Sequence, residues 1–270
     1  TGIGLATAHL LREQGWRVIA SARKPVDVEK LRQAGFDTLT LDMADETSVA
    51  NAATETLRLL DGKLGALVNN AGFGQPGAME DISRAALRHQ FEVNVFGLQD
   101  LTNRLLPALR QAGAGRTVHI SSVLGRITLP LLGSYCASKH AVESLADAQR
   151  LELRGTGVGV ILVEPGPIDT QFRRTAARQL ESALDMGHAE YRNHYAKEVE
   201  KRRAATKPSS NFSLPPEAVA RVIQRALESR HPRARYAVTL PAKLAPALRK
   251  LMPDALWDAA LGSRVPQRSR

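Results

Sequence analysis

The chain alternates short apolar runs with longer helical stretches, and this alternation restricts its fold more than any other feature. The apolar runs are rich in Val, Ile and Leu and predict buried parallel strands. They cover Arg17–Ala22, Thr38–Leu41, Ala66–Asn69, Thr117–Ser121 and Val158–Val163. The helical stretches are Leu5–Gln14, Val28–Ala34, Glu46–Leu60, Ser83–Gln111 and Gly133–Arg154. Repeated strand–helix–strand units with short connections predict a doubly wound parallel sheet of the α/β class.

The pattern becomes more polar and irregular after Pro165. The remaining predicted elements are a polar helical stretch, Gln171–Lys207, a helix, Pro216–Arg230, a last strand, Tyr236–Leu240, and an amphipathic tail, Lys243–Leu261. We predict a single domain over residues 1–270, in which 171–215 is a mobile substrate-loop segment and 241–270 is a helical tail.

Composition excludes several classes of protein. The 270 residues include one cysteine, Cys136, which rules out an intramolecular disulfide framework and favours a reducing, cytoplasmic compartment. No apolar run approaches the ~18–20 residues of a membrane-spanning helix. The net charge of +10 fits either an acidic partner or, as we favour, a solvated arginine-rich surface. Aromatic residues make up only 4% and do not interleave with basic ones, so no nucleic-acid partner is expected.

Two glycines stand at the start of the first helical run, in Thr1-Gly2-Ile3-Gly4. Glycines let a phosphate approach the backbone, and the helix N-terminus behind them offers free N–H groups and a positive dipole end. A dinucleotide-binding unit needs a strand before such a turn. We expect this first strand and a further glycine upstream of Thr1, because a parallel sheet without its central strand exposes unpaired backbone groups. The alternative is a truncated protein.

The end of the strand Arg17–Ala22 carries a candidate for cofactor selection. An acidic residue there would bind a ribose 2′-hydroxyl and select NAD, whereas arginine accommodates the 2′-phosphate of NADP. Ser21 stands at the expected acidic position, and Arg23 and Lys24 follow it. We therefore predict NADP(H) as the cofactor, with a merely solvated pair of cations as the alternative.

Two further strand ends carry candidate cofactor contacts. Asp42, followed by Met43, could accept a hydrogen bond from an adenine amino group or could simply cap the next turn. Asn70, Ala71 and Gly72 permit close backbone approach to a ligand, since small residues leave room and Asn tolerates unusual backbone angles. A tight structural turn is the alternative there.

The strongest local signal combines Ser122 with Tyr135 and Lys139. Ser122 follows the strand Thr117–Ser121, and the Tyr and Lys lie at i and i+4 on one helical face. A free tyrosine has a pKa of ~10, and we expect the neighbouring ammonium and a positively charged nicotinamide to lower the pKa of Tyr135. Tyr135 could then act as a general acid and base, while Ser122 holds the substrate oxygen and Lys139 holds ribose hydroxyls.

Asn94 lies within an otherwise apolar helical run. A buried amide must find hydrogen-bond partners. We favour an amide that kinks the helix and holds a water leading to Lys139, and a satisfied structural amide is the alternative.

With these motifs in this order, the chain closely resembles the short-chain dehydrogenase/reductase family over essentially its whole length. The resemblance implies a Rossmann-type fold and a catalytic tetrad of Asn94, Ser122, Tyr135 and Lys139. The cofactor contacts that we predict are Gly2, Ile3, Gly4, Ser21, Arg23, Lys24, Asp42, Met43, Asn70, Ala71, Gly72, Tyr135, Lys139, Pro165, Gly166, Ile168 and Thr170. Of these, Pro165, Gly166, Ile168 and Thr170 are expected at the nicotinamide end. The strand end Ser21–Lys24 and the long tail are similar to the branch of 17β-hydroxysteroid and retinol dehydrogenases and their bacterial oxidoreductase relatives.

The predicted activity is hydride transfer between NADP(H) and a hydrophobic ketone, aldehyde or secondary alcohol, without a metal. The alternative is a catalytically silent NADP-sensing or scaffold protein on the same fold. A homodimer or homotetramer is expected from the helices Ser83–Gln111 and Gly133–Arg154, which pair in family relatives. Leucines at helical spacing in the tail leave peripheral membrane contact open, beside packing over the substrate cleft or against a second subunit.

Overall fold

The computed structural model describes residues 2–183, 191–204 and 210–262. Its strands are β1 (Ile19–Ala22), β2 (Asp37–Thr40), β3 (Ala66–Asn69), β4 (Arg116–Ile120), β5 (Gly159–Glu164) and β6 (Arg235–Ala237). Its α-helices up to β5 are α1 (Gly2–Glu13), α2 (Pro25–Gln33), α3 (Glu46–Leu59), α4 (Arg84–Phe91), α5 (Gly97–Gln111) and α6 (Gly133–Glu152). The later helices are α7 (Phe172–Ala183), α8 (Arg192–Ala204), α9 (Pro216–Glu228), α10 (Leu240–Leu251) and α11 (Asp254–Gly262).

All the paired strands run parallel, as the alternation of elements predicts. The first five predicted strands agree with the observed ones to within two residues at either end. The last strand was placed too late, at Tyr236–Leu240, because the Thr239 side chain accepts a hydrogen bond from the Ala242 N–H and begins α10. Thr and Pro at a helix start are typical capping and first-turn residues, and here they end the extended backbone.

Helices cover both faces of the parallel strands. Alternate side chains of β5 point to opposite faces: Val160 and Leu162 pack in the core under α3, α5 and α6, whereas Ile161 and Val163 pack under α1 and α9. Near-continuous apolar strands of this kind are expected where both faces are buried. This doubly wound arrangement confirms the predicted Rossmann-type class.

The strands form two sheets rather than one continuous sheet. β1 pairs with β2, and β3, β4, β5 and β6 pair in that order. A cavity of about 610 Å³ lies between the two sheets and is lined by residues of β1 and β3.

The segment after β5 folds back over the loop that follows β3. Leu180 of α7 and Tyr191, Tyr195 and Val199 from the α8 region pack with Ala78 in a small apolar cluster of their own. Farther along the chain, Ala242 of α10 packs against the loop that follows β4. Among the described residues, no helix combines the length and the apolar character needed to cross a membrane.

Candidate active site

Ser122 lies directly beyond the carboxyl end of β4, where ligands of doubly wound sheets bind. Its backbone is extended, and its Oγ accepts a hydrogen bond from the Leu124 N–H at 3.1 Å, which caps a short 3₁₀ turn. The side chain is buried, and the interaction of its hydroxyl with the Tyr135 phenol favours the charged form of that tyrosine. The structure therefore joins Ser122 and Tyr135, which the sequence placed on separate elements.

Tyr135 and Lys139 lie one helical turn apart near the start of α6, and both side chains are buried. The Lys139 Nζ donates to the Ile120 carbonyl oxygen at 2.7 Å, so the lysine reaches back to the end of β4. The same Nζ lies 5.9 Å from the centroid of the Tyr135 ring. Helix α6 and strand β4 together bring the serine, the phenol and the amine into one group.

The protein groups around Tyr135 raise its pKa rather than lower it. Burial raises the pKa of Tyr135 to about 12, and the hydrogen bond with Ser122 only partly opposes this effect. Burial also lowers the pKa of Lys139 to about 8, although the charge of Glu143 acts in the opposite direction. Desolvation penalises the charged form of each group, and it outweighs the attraction that the spacing alone suggested.

Asn94 occupies a π-helical turn, Glu92–Phe96, between α4 and α5. Its Nδ2 donates to the Phe73 carbonyl oxygen at 2.9 Å and to Ser138 Oγ at 3.1 Å, and its Oδ1 accepts from the Phe73 N–H at 3.1 Å. These contacts support the satisfied structural amide, and the π turn agrees with the expected break in the helix. A Cβ added to Gly72 would lie 3.1 Å from Asn94 Oδ1 and 3.8 Å from Lys139 Nζ, so the three residues meet. The water relay stays a prediction.

The glycines at the start of α1 meet the loops that follow β3 and β5. A Cβ on Gly4 would lie 2.5 Å from the Asn70 Nδ2, and one on Gly2 would lie 3.2 Å from the Thr170 Cγ2. Gly2 also has a φ of +64°, a conformation that L side chains rarely adopt. Ile3 packs against the core, so it can contribute only backbone to a ligand in this turn. The geometry explains why glycine is needed at both positions.

Arg23 and Lys24, the cations predicted to select the cofactor, are exposed to solvent. Ser21 is the exposed next-to-last residue of β1, and Arg23 and Lys24 are exposed just beyond the strand. In the part of the chain that the structure describes, neither cation pairs with an acidic side chain. Both are available to an anionic ligand.

Asp42 and Met43, two of the predicted cofactor contacts, both make contacts within the protein. The Asp42 Oδ1 accepts from the Ala44 N–H at 3.0 Å, which supports the interpretation as a turn cap. The Met43 side chain is buried in the core, so this residue would meet a cofactor through its backbone. The start of α5 packs tightly here, since a Cβ on Gly97 would lie 2.0 Å from the Met43 carbonyl oxygen. Met43 can contribute only backbone.

The loop after β5 is held mainly by its backbone. The Pro165 carbonyl oxygen accepts from the Val123 N–H at 2.9 Å, next to Ser122. Gly166 leaves no room for a side chain, because a Cβ there would lie 2.1 Å from Thr239 Oγ1. Ile168 forms a parallel bridge with Leu214, and its side chain packs against the core, so again only its backbone faces the site.

Thr170 marks the end of this loop. Its Oγ1 accepts from the Phe172 N–H at 3.3 Å at the start of α7, and its methyl group faces Gly2 as described above. The loop after β5 thus joins the glycine turn of α1 to the helix that covers the site.

Several residues of the site that the sequence does not single out lie in the loop after β3, in α4 and in the segment 171–215. The Phe172 ring lies 5.5 Å from the Tyr135 ring between centroids, and a Cβ on Gly74 would lie 2.9 Å from Phe172 Cζ. The Gln75 N–H donates to Gln90 Oε1 at 2.7 Å, and Gln90 Nε2 donates to the Phe73 carbonyl oxygen at 2.9 Å. The position of Phe172 at the start of the segment 171–215 was a usable signal. No local pattern indicates the two glutamines.

Exposure also separates Ala71 and Gly72 from the residues that follow. Both are exposed, whereas Phe73 and Gln75 are buried.

The described residues contain no group of three or more His, Cys, Asp or Glu side chains that could hold a metal ion.

Comparisons with known proteins agree with this geometry. Residues 1–181 match the family model described as short chain dehydrogenase. The chain is 41% identical to the uncharacterized oxidoreductase YbbO of Escherichia coli K12 over 97% of this chain and 90% of the relative. It is 35% identical to the NADPH-dependent 3-dehydrocapnine reductase of Ornithobacterium rhinotracheale, covering 96% of this chain and 92% of that protein. Human retinol dehydrogenase 16 is 34% identical, and the match covers 97% of this chain and 84% of that protein. This relative confirms the predicted branch.

Two solved structures show the same fold with different cofactors. A short-chain dehydrogenase from Burkholderia cenocepacia in complex with NADP has a TM-score of 0.73 and 25% identity, covering 96% of this chain and 92% of that one. A short-chain dehydrogenase/reductase from Burkholderia phymatum in complex with NAD has a TM-score of 0.76 and 27% identity, covering 97% and 91%.

Proposed function

Because this chain belongs to the short-chain dehydrogenase family, we propose that it is an NADP(H)-dependent oxidoreductase acting on a hydrophobic ketone, aldehyde or secondary alcohol. The observation that carries the proposal is the buried group of Ser122, Tyr135 and Lys139 at the end of β4. Tyr135 would be its general acid and base. The catalytically silent alternative would keep NADPH binding without turnover, and an assay over a panel of carbonyl compounds separates the two.

The residues around the site fit a dinucleotide. Gly2 and Gly4 leave space at the N-terminus of α1, where backbone N–H groups and the helix dipole favour a pyrophosphate. Lys139 would hold ribose hydroxyls, and the backbone of Pro165, Gly166 and Ile168 with Thr170 would hold the nicotinamide end. When bound, the nicotinamide supplies or accepts the hydride.

Protein groups would handle the substrate oxygen and its proton. The Ser122 hydroxyl would hold the oxygen by a hydrogen bond, and the Tyr135 phenol would deliver a proton to it in the reducing direction. With a pKa of about 12, the phenol is protonated at neutral pH, as a proton donor must be. Lys139 and Asn94 would restore that proton through an ordered water. In the oxidising direction the same phenol would have to lose its proton, which its burial opposes.

The first prediction concerns Tyr135. We expect Tyr135→Phe to lower turnover of a hydrophobic ketone by at least ~10²-fold, because general acid catalysis contributes about that much, while NADPH binding changes little. Turnover and NADPH fluorescence titration measure the two effects. Tyr236→Phe, which removes a hydroxyl that accepts from the Arg233 N–H away from the site, is the matched control. Retained turnover in the Tyr135 variant would refute the assignment.

Cofactor preference rests on the end of β1. The 3-dehydrocapnine reductase relative is NADPH-dependent by name. Of the two solved structures described above, one contains NADP and the other contains NAD. The argument for NADP in this chain is therefore its own Ser21, Arg23 and Lys24, which present two free cations and no acid. A guanidinium is suited to bidentate phosphate contact.

The second prediction tests this preference. We expect Arg23→Ala/Lys24→Ala to raise the KM for NADPH by roughly 10–100-fold, or about 1.4–2.7 kcal/mol in total, because two exposed charge-assisted phosphate contacts are lost. The KM for NADH should change less than threefold. An equal effect on both cofactors would contradict a role in recognising the 2′-phosphate.

An apolar substrate is proposed from the lining of the site. The Phe172 ring covers Tyr135, and Met79 lies against Gly133 at the start of α6. Aliphatic, aromatic and steroid-like ketones should be turned over better than sugars in a side-by-side NADPH assay. Preference for a sugar would contradict the proposal.

Assembly and location are further parts of the proposal. Phe96, Leu145 and Leu151 are exposed on the π turn and α6, so these helices offer an apolar surface for a homodimer or homotetramer. Light scattering of the purified protein would show a monomer if this is wrong.

We also propose a cytoplasmic location, to which the buried free thiol of Cys136 is suited.

A further inference from the structure

Helix α10 has an apolar face that nothing in the described part of the chain covers. Leu240, Leu244, Leu248 and Leu251 recur at spacings of three or four residues, which places them on one side of a helix. Their exposed fractions are 53%, 51%, 52% and 81%. We call these four side chains the leucine face.

The opposite side of α10 is firmly packed. Ala242 is buried against Val123 and Ile127 of the loop that follows Ser122, and Ala245 lies in the same cluster. The helix is therefore docked on the protein, and the leucine face is directed away from it. The leucines are therefore exposed on a helix that is packed against the protein, and not because the helix is detached from it.

The charges of α10 are all of one sign. The helix contains Lys243, Arg249 and Lys250 and no acidic residue. Arg249 turns toward α11, where it pairs with Asp254 and its guanidinium lies 5.7 Å from the Trp257 ring. Lys243 and Lys250 are exposed and have no acidic partner among the described residues, and their positions in the helix place them along one border of the leucine face.

We propose that the leucine face binds an anionic lipid surface, with its leucines at the acyl boundary and Lys243 and Lys250 against the phosphate groups. Helices with an apolar stripe and flanking lysines lie in this way at the membrane interface. A second copy of the chain fits less well, because two helices that carry three cations and no acid would bring like charges together. Binding of this kind needs only the surface of α10 and is independent of the reaction at Tyr135.

Vesicle co-sedimentation with the full chain tests the proposal. We expect binding to phosphatidylcholine vesicles that contain phosphatidylserine, weaker binding to phosphatidylcholine alone, and a decrease with added salt. Leu248→Ser should lower the partition coefficient for the anionic vesicles about tenfold, and adding Leu244→Ser should lower it further. Val26→Ser, which changes a side chain of 58% exposure on α2, is the control and should leave binding unchanged.

A second pair of variants tests the charges. Lys243→Glu/Lys250→Glu should lower binding to anionic vesicles at least tenfold, since each cation near such a surface contributes about 1 kcal/mol. Lys63→Glu/Arg154→Glu makes the same change of net charge at exposed positions elsewhere and should have a much smaller effect.

Three results would overturn the proposal. The first is no binding to anionic vesicles, and the second is an equal loss in the control variants. The third is a lower molecular mass of the leucine variants in light scattering with unchanged vesicle binding, which would assign the leucine face to a second copy of the chain.

Discussion

At the scale of single residues, Lys139 combines a functional position with a cost in stability. Its ammonium is buried, donates to the Ile120 carbonyl oxygen, and has a pKa lowered to about 8. Burial disfavours the charged form of a lysine, whereas the unfolded chain keeps that charge up to a pKa of ~10.4. Between these two values the unfolded state binds more protons, so this group makes the fold more stable as the pH rises.

The third prediction follows from this burial. We expect Lys139→Met to abolish turnover and to gain stability relative to the natural chain near pH 7, where the natural chain buries the charge. The advantage of the variant should shrink by about 2 kcal/mol between pH 7.5 and pH 10, because the natural lysine becomes neutral in the fold over that window. Urea unfolding of both proteins at the two pH values measures the difference. A constant difference would show that Lys139 is not desolvated.

At the scale of elements, Arg235 ties α6 to the ends of β5 and β6. Its Nε lies 3.0 Å from Glu143 Oε2 and 3.3 Å from Glu164 Oε1, and its Nη2 lies 2.6 Å from Asp147 Oδ2. Glu143 and Glu164 are buried, and burial together with Glu143 raises the pKa of Glu164. Glu143 is one helical turn beyond Lys139, and Glu164 precedes Pro165. The cluster thus aligns the elements that carry the candidate site.

The fourth prediction removes this connection. Arg235→Met should lower the free energy of unfolding by about 3–5 kcal/mol at pH 7.5, because it leaves the buried Glu143 without its cation and leaves Glu164 with Arg126 alone. The loss should become smaller as the pH falls, since the pKa of Glu164 is already raised by burial and by Glu143 and rises further without Arg235. Arg58→Met, which breaks an exposed pair with Glu55, is the control and should change stability little. A loss that does not depend on pH would argue against buried carboxylates as its cause.

At the scale of the whole molecule, Tyr195 helps to attach the segment after β5 to the core. The Ala78 N–H donates to the Tyr195 hydroxyl at 2.8 Å, and that hydroxyl donates to Asp81. Phe172 at the other end of the segment packs on Tyr135. The cover of the candidate site is therefore attached both at Tyr135 and at the loop after β3.

The fifth prediction loosens this attachment. Tyr195→Phe should lower the free energy of unfolding by about 1–3 kcal/mol, because it leaves the Ala78 N–H unsatisfied. It should also speed limited proteolysis within residues 171–204 several-fold while the core fragment stays intact. Tyr236→Phe is again the matched hydroxyl deletion and should not change the cleavage rate. Uniform cleavage throughout the chain would indicate global unfolding instead.

Local periodicity and the rules of parallel sheets determined much of this protein. The strand positions follow from short apolar runs, and the grouping of Ser122, Asn70 and Pro165 follows because carboxyl ends of parallel strands share one edge. The pairing of Tyr135 with Lys139 needed only the helical repeat. These features depend on neighbours within a few residues or on topology, so the sequence by itself was sufficient.

Only the tertiary structure decided what surrounds those residues. Arg235 meets Glu143 across 92 positions and Ala78 meets Tyr195 across 117, so no local pattern encodes either contact. The raised pKa of Tyr135, the buried side chain of Met43 and the satisfied amide of Asn94 likewise depend on desolvation and on partners from other elements. Desolvation is a property of the packed volume around a group, and that volume is formed only when distant segments come together.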